Sequence, residues 1–249
     1  ADAFRQPDQH KAKKKKKSDD QLSGYLTDPR SGQGVAGATI YDRRTLRTST
    51  TDRDGYYQLP VSSHSEIVVS KLDFRDTVLF ISSETPRFLN LDLSVNPAPS
   101  ARTRTLEEDL ALVGSQLGAF FLHSAQRFNT LNVRDSLHRD WQLSLLPKAG
   151  TNRGMSGSVI NDWSVNLLAG YSLGNQKLEL AGVGNITRRF MHGLQFAGIF
   201  NELRGNAHGV QCAGLWNRTG DTLRGAQFAG GYNFARCAPG FSLQAAGGV

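Results

Sequence analysis

The sequence predicts an all-β protein with one connecting helix: a small β-sandwich over residues 21–97, a helical connector over 98–138 and a repeat β region over 139–249, behind a lysine-rich tail at 1–20. Three observations predict it. Short β-prone runs separated by Asp/Gly turns recur about every eight to twelve residues in the first third. One later stretch changes to helical spacing. Near the end, one phrase is said three times.

The phrase reads Gly193-Leu-Gln-Phe-Ala-Gly-Ile-Phe-Asn201, then Gly209-Val-Gln-Cys-Ala-Gly-Leu-Trp-Asn217, then Gly225-Ala-Gln-Phe-Ala-Gly-Gly-Tyr-Asn233, always sixteen residues apart. Fainter copies begin at Leu178 and Val165 and end the chain at Leu243-Gln-Ala-Ala-Gly. Within a copy Leu194, Phe196, Gly198 and Phe200 alternate with Gln195, Ala197 and Ile199, a period of two that specifies strand. Asn201 to Gly205, Asn217 to Gly220 and Asn233 to Gly240 read as turns, because Asn and Gly tolerate positive φ. What remains is strands of about eleven residues, long enough to cross a bilayer at a tilt.

Two geometries fit. In an antiparallel β-meander closed into a membrane β-barrel, Gln195, Gln211 and Gln227 face the lumen, Leu194, Phe196, Val210 and Phe228 face lipid, and Phe200, Trp216 and Tyr232 fall at alternating ends as aromatic belts. In a β-solenoid the copies stack in parallel, the Gln side chains form an amide ladder and the aromatics pile on one edge. Earlier alternating segments, at Trp141 to Leu146 and Val165 to Tyr171, do not keep the sixteen-residue spacing, which favours the barrel. Strands are expected near 140–147, 158–172, 177–185, 189–200, 206–216, 221–232 and 241–249. Membrane barrels of one chain generally have even strand counts, so this set predicts that the natural protein continues. No run of eighteen apolar residues exists, which excludes a membrane helix but not a barrel.

The formal charge is +7. Arg5, Lys11 and Lys13 to Lys17 concentrate part of it in the tail, which would suit nucleic acid or anionic lipid. No aromatic residue interleaves the lysines, so a solvated linker is expected and nucleic acid is not an expected partner. Cys212 and Cys237 are placed, with one repeat between them, as free thiols.

Taken in order, the first domain offers Gln21 to Asp28, Gly32 to Tyr41, Leu46 to Pro60, Ile67 to Leu72, Thr77 to Ile81 and Phe88 to Leu93. Ser23-Gly-Tyr25 with Asp28, Val35-Ala-Gly-Ala-Thr-Ile40 and Thr51-Asp52…Gly55-Tyr-Tyr-Gln-Leu59 resemble the carboxypeptidase regulatory-like domain over about residues 21–95. That resemblance implies a transthyretin-like sandwich without catalytic residues, often placed ahead of an outer-membrane barrel, so it implies partner contacts and no peptidase activity. Asp52 and Asp54 read as a turn, since no Glu completes a calcium loop. Leu106, Leu110, Val113, Leu117, Phe120 and Phe121 predict one amphipathic helix, capped by Thr105 with Glu108, that joins the two β modules; packing on the sandwich is its simplest placement, beside plugging the barrel or lying on a membrane surface. From Ser144 onward the chain resembles bacterial outer-membrane and lipoprotein surface repeats built on Gly-x-Gln-x-Ala-Gly-x-x-Asn, which implies a place in the outer membrane.

No catalytic, cofactor or metal site is expected. The six histidines lack metal spacing, and His192 and His208 repeat at sixteen residues as headgroup-level polar groups. Gly154-Met-Ser-Gly is not a nucleophile elbow. The expected function is therefore non-enzymatic: an outer-membrane transport or anchoring component, in contact with lipid and with envelope proteins through a sandwich in the periplasm or at the cell surface. The alternative is a soluble surface solenoid presenting Arg204, Arg218 and Arg224 to a glycan or protein.

Overall fold

A computed structural model of the chain describes residues 20–96, 103–240 and 242–247. The lysine run at 11–17 lies outside them.

The first part is two sheets around an apolar core. One contains β1 (Asp20–Thr27) between β4 (Tyr56–Val61) and β7 (Leu91–Asp92), and the other runs β3 (Thr48–Thr50), β2 (Thr39–Asp42), β5 (Glu66–Ser70), β6 (Thr77–Phe80). Alternation sets the inward side: in β4, Tyr57, Leu59 and Val61 are buried, while Tyr56, Gln58 and Pro60 are not. They meet Leu22, Leu26, Ile40, Ile67 and Val69 in one cluster. The Asp52 carboxylate accepts the backbone N–H groups of Asp54 at 3.0 Å and Tyr56 at 2.9 Å, the turn its sequence suggested.

The connector is three helices and not one: α1 (Thr103–Gly114), α2 (Gln116–Phe121) and α3 (Ser124–Asn132). Thr105, expected as the cap, lies two residues inside α1. The break comes at Ser115, whose hydroxyl donates to the Leu112 carbonyl at 2.7 Å and accepts from Gly118 N–H at 3.0 Å, capping α2. The expected apolar stripe is therefore split. Val113 is buried, but Leu110 and Phe120 are exposed and Leu112, outside the stripe, is fully buried. Where packing on the sandwich was expected, Leu112, Leu117 and Phe121 of α1 and α2 lie against Tyr171, Ile186 and Phe200 of the repeats. It is α3 that reaches the sandwich, where Thr39 donates to Asn129 at 2.9 Å and Asn132 donates to the Gly37 carbonyl at 2.7 Å.

The repeats form a stack of parallel strands. After β8 (Leu137–Leu146) and its short antiparallel partner β9 (Ala149–Gly150) come β10 (Val159–Asn166), β11 (Ala169–Ala181), β12 (Gly184–Ala197), β13 (Phe200–Leu203), β14 (Asn206–Ala213), β15 (Trp216–Ala229), β16 (Tyr232–Cys237) and β17 (Leu243–Ala246). β12 shows how one coil is built. Its residues 184–187 pair with β13 and its residues 190–197 pair with β14, so the chain turns a corner between two flat faces. Gln195 aligns with Gln211, and Gln211 with Gln227.

The antiparallel meander, and with it the membrane barrel, is thus replaced by the parallel solenoid. Amide chemistry explains the outcome. Gln227 donates to Gln211 at 2.7 Å, Gln211 to Gln195 at 2.7 Å, and Gln195 to Glu179 at 2.8 Å. A second ladder runs from Asn185 to Asn201 at 2.9 Å, Asn201 to Asn217 at 2.8 Å and Asn217 to Asn233 at 2.9 Å. Identical amides satisfy one another only when copies stack in parallel register at the strand spacing of about 4.8 Å. Buried amides without such partners would be costly.

Three expectations fall with the barrel. Gln195, Gln211 and Gln227 face no lumen and are wholly buried between the two faces. Asn201, Asn217 and Asn233 are strand residues of the second ladder and not turn residues. Phe200, Trp216 and Tyr232 form one column, with ring centroids 5.0 and 6.2 Å apart and planes within 9°, and not two belts. The irregular spacing before Gly184 has a simple cause. A loop containing β9 and the 3₁₀ turn Arg153–Ser158 separates the first two rungs, yet Trp141 still aligns with Trp163.

Candidate binding face

Each rung contributes outward side chains to two faces, and these have different fates. On one, Tyr171, Ile186 and Phe200 are covered by α1 and α2, with the Phe121 ring 5.9 Å from that of Phe200. A buried ion pair fixes the cover: Arg188 grips Asp109 with Nε to Oδ1 at 3.0 Å and Nη2 to Oδ2 at 2.6 Å, and also donates to the Thr130 carbonyl. Such a bidentate fork sets orientation as well as attraction.

The other face is left bare by the described residues. One outward column runs Trp141, Trp163, Leu178, Leu194, Val210, Ala226, Leu243, and the next runs Leu143, Val165, Leu180, Phe196, Cys212, Phe228, Ala245. None of these fourteen residues is charged, and none is buried; Trp141 is 63% and Leu143 59% exposed. Leu194, Phe196, Val210 and Phe228, expected against lipid, therefore do share one outer surface. Beside the second column, Ala181, Ala197, Ala213 and Ala229 with Gly182 and Gly198 line a shallow groove of about 860 Å³. The surface is a ridge flanked by a trough.

The glycines at the head of each phrase keep this face flat. Gly193, Gly209 and Gly225 have φ of 87°, 138° and 138°. A Cβ on Gly209 would stand 1.9 Å from the Gly193 carbonyl oxygen, and one on Gly225 2.0 Å from that of Gly209. Only glycine admits both the backbone conformation and the approach of the next coil.

Polar groups are confined to the rim and the interior. At one margin His192 and His208 stack at 5.2 Å, with Arg224 next in their column. Burial, then the charge of His208, lowers the His192 pKa. Lys177 contacts Asp162 at 2.6 Å, and Asp162 also lies 2.9 Å from His138. His138, Asp140 and Asp162 are the group among the described residues close enough to share a cation. Asp162 is already neutralised by Lys177, whose hydrogen bond holds its carboxyl below the usual range. The sequence concealed this group because β8 and β10 bring together residues far apart in the chain.

Inside, Glu179 occupies the Gln position at the start of the ladder, accepting from Gln195 at 2.8 Å and Thr187 at 3.0 Å. Burial pushes its pKa up to about 7. Of the arginines expected at turns, Arg204 and Arg218 are drawn to Glu202, at 3.2 and 2.9 Å. Cys212 and Cys237 are free thiols.

Fold and face together define a class: a two-part β protein in which a sandwich and a helical brace hold a parallel solenoid with one open apolar side. No protein-family model matches the chain, and no curated protein matches it. Among solved structures it is similar to a mutant type II cohesin–X-dockerin complex from Acetivibrio cellulolyticus, at 17% identity and a TM-score of 0.28, over 33% of this chain and 62% of that chain.

Proposed function

We propose that the protein is a non-enzymatic binding and anchoring component of the bacterial envelope, whose solenoid docks a protein partner on its bare face. The observation that carries this reading is the fourteen-residue uncharged face, left open while helices cover its opposite number. Contiguous exposed apolar surface of this extent marks interaction sites in soluble proteins. A glycan is a poorer occupant. Apart from the indoles of Trp141 and Trp163 and the thiol of Cys212, none of the fourteen side chains can hydrogen-bond a sugar hydroxyl. The resemblance of the first domain to carboxypeptidase regulatory-like sandwiches and of the repeats to surface repeats supports an envelope location.

A photo-crosslinking residue at Phe196, compared in cells with one at the exposed Phe88 of the sandwich, tests the reading. Discrete protein adducts are expected from position 196 and not from 88. Equal adduct patterns at the two positions would refute it.

A further inference from the structure

We propose that the occupant of the bare face is a second copy of this chain, joined about a two-fold axis parallel to the solenoid axis. The inference rests on reading that face as a docking surface and adds the identity of the partner. Three features point to self-association. The first is spacing. The ridge is a row of side chains about 4.8 Å apart, and a surface with the same pitch meets it rung for rung. A second copy has that pitch by construction of its own ladder.

The second feature is shape. A two-fold axis running between ridge and trough exchanges them, so Phe196 and Phe228 of each copy enter the Ala/Gly trough of the other, at the same height. Isologous contacts require this kind of self-complementarity. The third is charge and area. The protein carries +7, yet the face carries none, so two copies meet there without like-charge repulsion. Seven rungs by the width of ridge and trough amount to roughly 600 Å² per copy, about 1,200 Å² in total, above the ~1,000 Å² of a specific interface.

Sedimentation equilibrium of the purified full chain, from submicromolar to tens of micromolar, should give a mass twice 27.2 kDa. Phe196→Arg and Phe228→Arg should each raise the dimer dissociation constant at least about 30-fold, as loss of a central anchor does, while Phe88→Arg changes nothing. Thermal unfolding of each variant checks that it is folded. A second measurement leaves both phenylalanines in place. A short bis-maleimide should link two copies through Cys212 in a Cys237→Ser background, and should not link them through Cys237 in a Cys212→Ser background. A monomer at every concentration overturns the proposal, as does a dimer indifferent to both arginine variants. If the chain stays monomeric while the position-196 photo-adducts contain another protein, the docking function stands and the second copy is wrong. Monomers that bind anionic vesicles through Phe196 would mark a lipid surface instead, and both readings would fail.

Discussion

The sandwich and the solenoid are both β-sheet, but the sandwich relies on an apolar core alone while the solenoid adds buried amide ladders. Between the sheets of the sandwich lie Leu22, Leu26, Ile40, Leu59 and Ile67, all with no exposed surface. Between the faces of the solenoid lie two files of amides that bond to their own copies above and below, beside a small apolar cluster of Met191, Leu203, Ala207 and Leu223. An apolar core stabilises through area removed from water and is indifferent to direction. An amide ladder contributes little net energy per bond, but any misregister leaves groups unsatisfied, so it specifies register. The solenoid can therefore leave one apolar face uncovered without losing its shape.

The sharpest way to break this comparison is at the coil-to-coil approach. Gly209→Val should cost more than about 4 kcal/mol, because its side chain would displace backbone, and urea unfolding should show the repeats lost before the sandwich. Next comes a reciprocal exchange. Gln211→Leu strands its bonds to Gln195, Gln227 and Thr219, and Leu59→Gln buries an amide with no partner, so each should destabilise its own region by about 3–4 kcal/mol. A neutral Gln211→Leu would show that the ladder is dispensable.

Glu179 sharpens the comparison with pH. Its carboxyl titrates near 4.5 when unfolded and about 7 when folded. The protonated form is the one the fold prefers, so its contribution is complete below about pH 4.5 and is lost as pH rises through about 7. The loss amounts to about 3 kcal/mol. Glu179→Gln should remove that decline and raise stability at pH 8, measured by urea titration, with little change at pH 4. The smallest effect belongs to the sandwich. Asp52→Ala removes the acceptor for two turn N–H groups and should cost about 1 kcal/mol by the same assay.

Much of this was legible in the residues. The sixteen-residue unit, the alternation within it and the turn at Asp52 follow from spacing and turn chemistry. Strand direction did not follow, because alternation looks the same whether neighbours run parallel or antiparallel. The deciding residues were Gln195, Gln211 and Gln227, whose polarity suits a watery lumen as readily as a dry ladder. Phe200 also misled. Alternation carried it onto the side of Phe196, whereas the chain turns a corner at Gly198 and Ile199 and sends it to the opposite face. The bare face was half visible: alternation already put Leu194, Phe196, Val210 and Phe228 on one side, but its extension to Trp141 and Trp163 depends on a loop between rungs that breaks the spacing. The helix break at Ser115 was hidden by an apolar pattern that runs straight through it.

Because every rung from Gly184 onward offers its successor the same pair of amides, tandem duplication of one sixteen-residue phrase would add a coil without requiring a single compensating substitution elsewhere. Such an event would lengthen the exposed side by about 4.8 Å. The length of that side in a lineage carrying this architecture can then evolve by copy number, through recombination between near-identical stretches of its own coding sequence, while each side chain stays as it is.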